Sequence, residues 1–239
     1  SEENCERVTI AYEGKELSAL YVRAEGVQGP APILVQVNGL DSTKEMKYRV
    51  GLPAWLAKRG VSSLIVDQPG TGEALRLHGL TARFDRNIPY QGGEYGTAIL
   101  SRYPIRRAAH VPLTMVGPGE QRGVQQVWLD VAGTEVLFLN THLDHRREPA
   151  ERERSVGEIR ALVTAAGSLP VIVAGDFNAV PDSRAIATMR EFLTDAWTVA
   201  GRGPGFTIPV RQPNRRIDYV WVSRHFTPVR MEVLSSEAS

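Results

Sequence analysis

The 239-residue sequence lacks the features that mark several protein classes. A single cysteine, Cys5, excludes an internal disulfide and a thiolate metal cluster. No apolar run approaches the ~18 residues of a membrane-spanning helix, so we expect no stable membrane insertion. The net charge of +1 gives no overall attraction to nucleic acid or anionic lipid. The N-terminus SEENCERVTI is polar and no N-x-S/T sequon occurs, so cytoplasmic localisation is the default expectation.

The first third of the chain has the pattern of a small α/β unit. Residues 7–23 alternate around a turn and predict a β-hairpin. Ile33–Val37 and residues 63–66 predict two further strands, and residues 52–59 between them predict an amphipathic helix. A helix between two strands forms a βαβ unit, so these two strands should be parallel.

This segment carries a family resemblance. The run PILVQVNGLDSTKEMKYRVGLPAWLAKRGVSSLIVDQPGTGEALRLHGLTAR resembles the N-terminal part of an α/β-hydrolase of the esterase or dienelactone-hydrolase type. The resemblance implies an oxyanion-hole amide in the turn at residues 38–41. It also implies a nucleophile elbow, G-x-S-x-G, with an acid and a histidine further along. The chain contains no G-x-S-x-G, which disfavours an acyl esterase.

The rest of the chain alternates strands and helices after a polar, turn-rich stretch at residues 84–93. Ala132-Gly133-Thr134 joins two strands of a predicted hairpin. The charged run 146–154 is expected on a solvated face of the following helix. The predicted strands are residues 96–101, 124–131, 135–140, 217–222 and 229–234, and the predicted helices are residues 149–166 and 183–193.

The stretch VIVAGDFNAVP, residues 171–181, ends a buried-strand pattern with polar side chains. Asp176 and Asn178 are two residues apart, so both point to one side of an extended chain while Phe177 points into the core. A carboxylate can accept a proton or hold a cation, and an amide can donate to an oxyanion. The pattern indicates either a hydrolytic or metal site, or an Asx-rich turn.

Four motifs in order resemble the endonuclease/exonuclease/phosphatase superfamily. They are EYGTAILSRYPI, LFLNTHLDHR, VIVAGDFNAVPDS and RRIDYVWVS, within roughly residues 90–239. The resemblance implies an α/β fold, a partial DNase I-like α/β sandwich, preceded by the α/β-hydrolase-like βαβ segment. The expected domains are residues 1–89 and 90–239, which can pack as one body. The implied activity is metal-dependent hydrolysis of phosphoesters.

The resemblance also assigns roles to four residues. His142 matches the family's histidine that contacts the scissile phosphate, and Asp176 the aspartate that positions or deprotonates the attacking water. Asn178 matches the amide that stabilises transition-state oxygens, and Asp218 the aspartate that orients a catalytic histidine. Hard oxygen ligands, Asp176 among them, imply Mg²⁺ or Mn²⁺. The implied substrate is a phosphoester in nucleic acid, a phospholipid headgroup or a sugar phosphate, and no protein partner is implied.

The residues themselves leave two of these assignments open. His142 at a predicted strand end is also compatible with an ordinary turn residue. Asp218 is also compatible with a buried acid paired with Arg215 or Arg216. The loop at residues 202–216 carries four arginines and no acid, and it either contacts phosphates or is an ordinary basic loop.

Departures from the family pattern lower the activity that we expect. The family's N-terminal asparagine and its metal-binding glutamate motif are missing, and its S-D-H motif is expected where the chain reads SSEAS. Because such groups act as a unit, we expect weak activity or none. The alternative is a non-enzymatic chimera joined near residues 84–93. The βαβ unit offers substitutes, since Asn38 and Asp67 follow its two strands and would add metal ligands near Asp176.

Overall fold

Short apolar segments of the chain form three sheets in a computed structural model that describes residues 4–12, 14–37, 43–67, 79–90, 93–209 and 211–234. Contacts divide the chain into two units. The first unit contains Ser1–Ala82 and Leu100–Arg102, and the second contains Arg83–Ile99 and Tyr103–Ser239. None of the helices within the described ranges combines the length and low charge needed to cross a bilayer.

The first unit is built on a four-stranded sheet. Its elements are β1 (Cys5–Tyr12), β2 (Lys15–Val22), β3 (Ile33–Val37), α1 (Lys44–Arg49), α2 (Leu52–Ala57) and β4 (Ser62–Val66). The strand order is β1-β2-β4-β3. β1 and β2 form the predicted antiparallel hairpin. β3 and β4 pair in parallel, which confirms the predicted βαβ unit.

The second unit contains a two-stranded and a six-stranded sheet. β5 (Thr81–Tyr90) and β6 (Gly93–Ser101) form the two-stranded sheet, which lies mostly in this unit. The remaining elements are β7 (Ile105–Pro112), β8 (Gly123–Val131), β9 (Thr134–His142), α3 (Ala150–Ala165), β10 (Val171–Asp176), α4 (Arg184–Arg190), β11 (Thr194–Asp195), α5 (Ala196–Ala200) and β12 (Asp218–Val222). The strand order of the six-stranded sheet is β11-β12-β10-β9-β8-β7. β9 and β10 are parallel with α3 between them, and β12 is antiparallel to β10.

The core of the second unit lies between one face of this sheet and the helices α3 and α4. Val171 and Val173 of β10 pack there with Ile159 of α3 and Ile186 of α4. Side chains alternate along a strand, so the even-numbered residues of β10 face the other side of the sheet. Asp176 therefore lies on the face opposite the helices.

Several predicted segments differ from the structure. Residues 84–93 are not a turn-rich stretch, because most of them belong to β5, whose Asp85 is held by Gln125 of β8. Residues 229–234 form no strand, and only Met231 makes an isolated bridge. The charged run 146–154 is only partly solvated, since Glu151 is 3% exposed and bonds both Arg146 and the Val116 amide.

Candidate active site

Three adjacent strands bring His142, Asp176 and Asp218 into one row across the sheet. Asp176 is the register partner of His142 on β9 and of Asp218 on β12. Register partners on neighbouring strands lie on the same face of a sheet. The sheet therefore gathers three of the predicted site residues on the face opposite the helices α3 and α4.

Gly175 allows β9 and β10 to approach closely beside this row. Its φ of 150° lies in a region that side chains disfavour, and a Cβ there would lie 1.9 Å from the Thr141 carbonyl oxygen. Only glycine fits this position without moving one of the two strands. The glycine of the GDFN motif therefore serves the spacing between His142 and Asp176.

A tight turn fixes Asn178 beside Asp176. The Asn178 backbone N–H donates to Asp176 Oδ1 at 2.7 Å, and the Asn178 φ of 47° is a left-handed value that asparagine tolerates. The Asn178 side-chain amide donates to the Leu143 carbonyl at 3.0 Å, and a second amide hydrogen remains on that nitrogen. Phe177 is fully buried, as predicted. The Asx turn at Asp176 and Asn178 is therefore part of the candidate site, and the two alternatives do not exclude each other.

The His142 ring has a polar neighbour at each nitrogen. Nε2 lies 3.6 Å from Asp176 Oδ2, and Nδ1 lies 3.1 Å from the hydroxyl of Tyr95 on β6. His142 is thus part of the polar row and not an ordinary turn residue. Tyr95 belongs to the EYGTAILSRYPI motif, but it was not among the site residues predicted from the sequence.

Burial shifts the pKa values of His142 and Asp176 in the directions that favour their neutral forms. Burial lowers the pKa of His142, and the positive charge of Arg122 lowers it further, against the opposing charge of Asp176. Burial raises the pKa of Asp176, the Asn178 N–H opposes this rise, and the charge of Asp218 adds to it. The lowered pKa of His142 favours its neutral form.

Arg122 is a charged residue of this site that the sequence analysis missed. It is 2% exposed, pairs with Glu120 at 2.9 Å and contacts Nδ1 of His145 at 3.0 Å. Its Nε and Nη1 have no hydrogen-bond partner within the part of the chain that the structure describes. The charge of Arg122 acts on both His142 and Asp176, so this residue contributes positive charge beside the row. Its position just before β8, beside the NTHLD strand, was the available signal.

The other predicted site residues lie elsewhere or outside the described ranges. Asn38 lies outside the described residues. Asp67 is fully buried, and its two carboxylate oxygens each accept a 2.8 Å hydrogen bond from Lys44. Asp218 is exposed and does not form the suggested pair with Arg216, because Arg216 binds Asp195 at 2.6 and 3.0 Å.

Asp176 and Asp218 also share a cavity of about 340 Å³ on this face of the second unit. No cluster of three or more His, Cys, Asp or Glu residues that could hold a metal occurs among the described residues. Two carboxylates remain compatible with Mg²⁺, which is often held by one or two carboxylates together with waters and substrate phosphates. The donor set fits a weakly bound hard cation.

Comparison with known proteins identifies the family. The model of the Endonuclease/Exonuclease/phosphatase family matches residues 45–239. The uncharacterized protein YbhP of Escherichia coli K12 is 32% identical over 146 residues, which are 58% of this chain and 55% of that protein. The chain thus spans about half the length of the curated relatives it matches. The family match begins within the segment that resembles an α/β-hydrolase, and that second resemblance stays a prediction.

Two solved structures share the fold. The mannosyl-6-phosphatase Bt3783 of Bacteroides thetaiotaomicron superposes with a TM-score of 0.58 at 20% identity, covering 86% of this chain and 89% of that chain. A family protein from the same organism gives a TM-score of 0.59 at 20% identity, covering 92% and 89%. The chain belongs to the endonuclease/exonuclease/phosphatase family and has its DNase I-like α/β sandwich fold.

Proposed function

We propose that this chain hydrolyses phosphoesters with the help of Mg²⁺ or Mn²⁺, and that its turnover is low. The observation that carries the proposal is the row of His142, Asp176 and Asp218 across three adjacent strands, with Asn178 bound to Asp176. Family membership supports the reaction class.

The reaction needs water to attack phosphorus, a group to take the water proton, and donors on the phosphoryl oxygens. Asp176 is 29% exposed and has a raised pKa, so its carboxylate is suited to orient the water and take its proton. Neutral His142 and the second amide hydrogen of Asn178 are suited to donate to phosphoryl oxygens. Arg122 adds positive charge beside them.

Asp176 and Asp218 are the described residues that would hold the cation, which supplies neutralisation of the phosphate charge when it is bound. Two carboxylates make a weak site, and this is our reason for proposing low turnover. Asp67 as a further ligand remains a prediction. Its ion pair with Lys44 counts against that role, because an ammonium group already contacts the carboxylate.

The name of one structural neighbour, a mannosyl-6-phosphatase, supports a sugar phosphate as one candidate substrate. Nucleic acid and phospholipid headgroups remain candidates. The four arginines of the loop at residues 202–216 do not favour one of these substrates over another. Arg216 is bound to Asp195, and the other three, Arg202, Arg211 and Arg215, are exposed. We therefore propose the reaction class and leave the alcohol portion of the substrate open.

The test is hydrolysis of bis-p-nitrophenyl phosphate and mannose 6-phosphate with Mg²⁺, with Mn²⁺ and with EDTA. We expect EDTA to abolish turnover and Asp176→Asn to reduce it by about 10²- to 10⁴-fold. Asp182→Asn makes the same change at an exposed position and should leave the rate unchanged.

Four outcomes would contradict the proposal. Turnover that resists EDTA would show that the reaction does not depend on a metal. Turnover that survives in Asp176→Asn would show that this row is not the active site. Hydrolysis of p-nitrophenyl acetate alone would favour an acyl esterase. A folded chain with no turnover on any phosphoester would favour a non-enzymatic chain with remnant sites.

A further inference from the structure

The alternation of side chains along β6 directs Tyr95 toward His142. Side chains alternate along β6, and Thr97 and Ile99 are buried on one side of it. Tyr95 points to that same side at the outer end of the strand. Its ring lies 6.2 Å from the ring of Tyr90, and its hydroxyl lies 3.1 Å from His142 Nδ1.

The two polar neighbours of the His142 ring determine which ring nitrogen carries the proton. A neutral imidazole has one N–H donor and one acceptor nitrogen. With the proton on Nδ1, the bare Nε2 would face Asp176 Oδ2, and two acceptors would lie 3.6 Å apart. With the proton on Nε2, the N–H faces the carboxylate and the Tyr95 hydroxyl donates to Nδ1. Only the second arrangement satisfies both neighbours.

We propose that Tyr95 is a positioning residue that holds His142 as the Nε2–H tautomer. In this tautomer His142 presents a hydrogen-bond donor beside Asp176 and has no basic nitrogen there. Its role in hydrolysis is then to donate to a phosphoryl oxygen while Asp176 handles the water proton. This assignment of roles rests on the proposed phosphoester hydrolysis, whereas the tautomer itself does not.

The tautomer can be measured without turnover. Protein labelled with ¹⁵N at histidine is studied by NMR at about pH 8.5, where an ordinary imidazole is neutral, in buffer with EDTA. The spectrum of His142→Gln identifies the His142 signals. We expect the His142 Nδ1 signal at the position of a bare nitrogen and the Nε2 signal at that of a protonated nitrogen.

Tyr95→Phe keeps the aromatic ring and removes the hydroxyl. The two His142 nitrogen signals should then move toward each other, because the tautomers exchange. Tyr12→Phe removes the hydroxyl of an exposed tyrosine of β1 and should leave both signals in place. A proton on Nδ1 in the unaltered protein would overturn the proposal, and so would unchanged His142 signals in Tyr95→Phe.

Kinetics provide a second readout. Loss of one such hydrogen bond should lower kcat about fivefold without changing KM, because the donor acts on the transition state. An unchanged kcat in Tyr95→Phe, together with shifted nitrogen signals, would refute the role of the tautomer in the reaction. If the unaltered chain shows no turnover, the proposed function fails, but the NMR result still decides the tautomer.

Discussion

Asp67 and Asp176 occupy similar positions in the sequence, but their surroundings in the structure differ. Each ends an apolar strand that pairs in parallel with the preceding strand of its own sheet. Asp67 is fully buried and bound at both carboxylate oxygens by Lys44. Asp176 is 29% exposed and accepts one backbone N–H. The hydrogen-bond donors around a strand-end carboxylate therefore decide its role.

The two carboxylates also relate differently to stability. A buried ion pair is strongly destabilised when one partner is removed, because the other charge stays in a poorly solvated place. Asp176 has a neutral imidazole and a negative Asp218 beside it, so its charged form is favoured less. Asp67 therefore stabilises the first unit. The surroundings of Asp176 suit contact with a ligand, at some cost in the stability of the second unit.

The largest expected effect is on stability in the first unit. Lys44→Met removes the ammonium group from the Asp67 carboxylate and should lower the free energy of unfolding by about 3–5 kcal/mol. The measurement is urea denaturation followed by circular dichroism. The matched control is Arg184→Met, because Arg184 is 82% exposed and its pair with Glu153 spans 3.8 Å.

The control should change stability by less than about 1 kcal/mol. The double variant Lys44→Met/Asp67→Leu should recover much of the loss, since it removes both charges together. If Lys44→Met cost no more than the control, the contrast between the two aspartates would disappear.

The next effect concerns the charge beside Asp176. Arg122→Met removes a buried guanidinium and should reduce phosphoester turnover by about 10²-fold, because a fixed positive charge beside the row would stabilise the negative charge of the transition state. It should also raise the pKa of both His142 and Asp176, because the Arg122 charge lowers both. Steady-state kinetics across pH measure both effects. Arg106→Met, on an exposed arginine, is the control, and equal losses in the two variants would remove Arg122 from the site.

The sequence predicted the strands around the site well. Apolar residues recur regularly, or a turn motif is present, in the strands β8, β9, β10 and β12. The pairing of these strands then fixes which residues lie side by side. The row of His142, Asp176 and Asp218 was therefore accessible through the motifs. The structure brings together the residues that the resemblance named.

Other features were hidden because they depend on distant partners. Tyr95 and Arg122 reach the site through tertiary packing. The motif that contains Tyr95 and the position of Arg122 just before β8 do not show which residues the two side chains contact. Asp67 looked like a strand-end ligand because its partner Lys44 lies 23 residues earlier, on a helix that was not predicted. β5 was missed because polar residues and a proline mask its strand pattern.

A smaller effect tests the influence of Asp218 on its neighbour. The negative charge of Asp218 helps to raise the pKa of Asp176, so Asp218→Asn should lower that pKa. If ionised Asp176 is needed for turnover, the acid limb of the kcat/KM profile should move to lower pH, whatever happens to the maximal rate. Asp182→Asn should leave the limb in place. A shift to higher pH would contradict the closeness of the two carboxylates.

The smallest effect is on the stability of the second unit. Because burial raises the pKa of Asp176, the folded chain holds this proton more firmly than the unfolded chain. The ionised carboxylate therefore costs stability above the folded pKa. The cost decreases as the pH falls below the folded pKa and is gone below the pKa of the unfolded chain. Asp176→Asn should unfold at an equal or slightly higher temperature at pH 7, with the gain fading in acid.

Asp130 provides a control of opposite sign. Its pKa is lowered, first by the hydrogen bond from Arg106 and then by the Gly133 N–H, so its charge stabilises the fold at neutral pH. This stabilisation is lost as the pH falls through the lowered pKa. Asp130→Asn should therefore unfold at a lower temperature at pH 7, while Asp176→Asn does not. Equal losses would show that Asp176 is a structural carboxylate like Asp67 and not one reserved for a ligand.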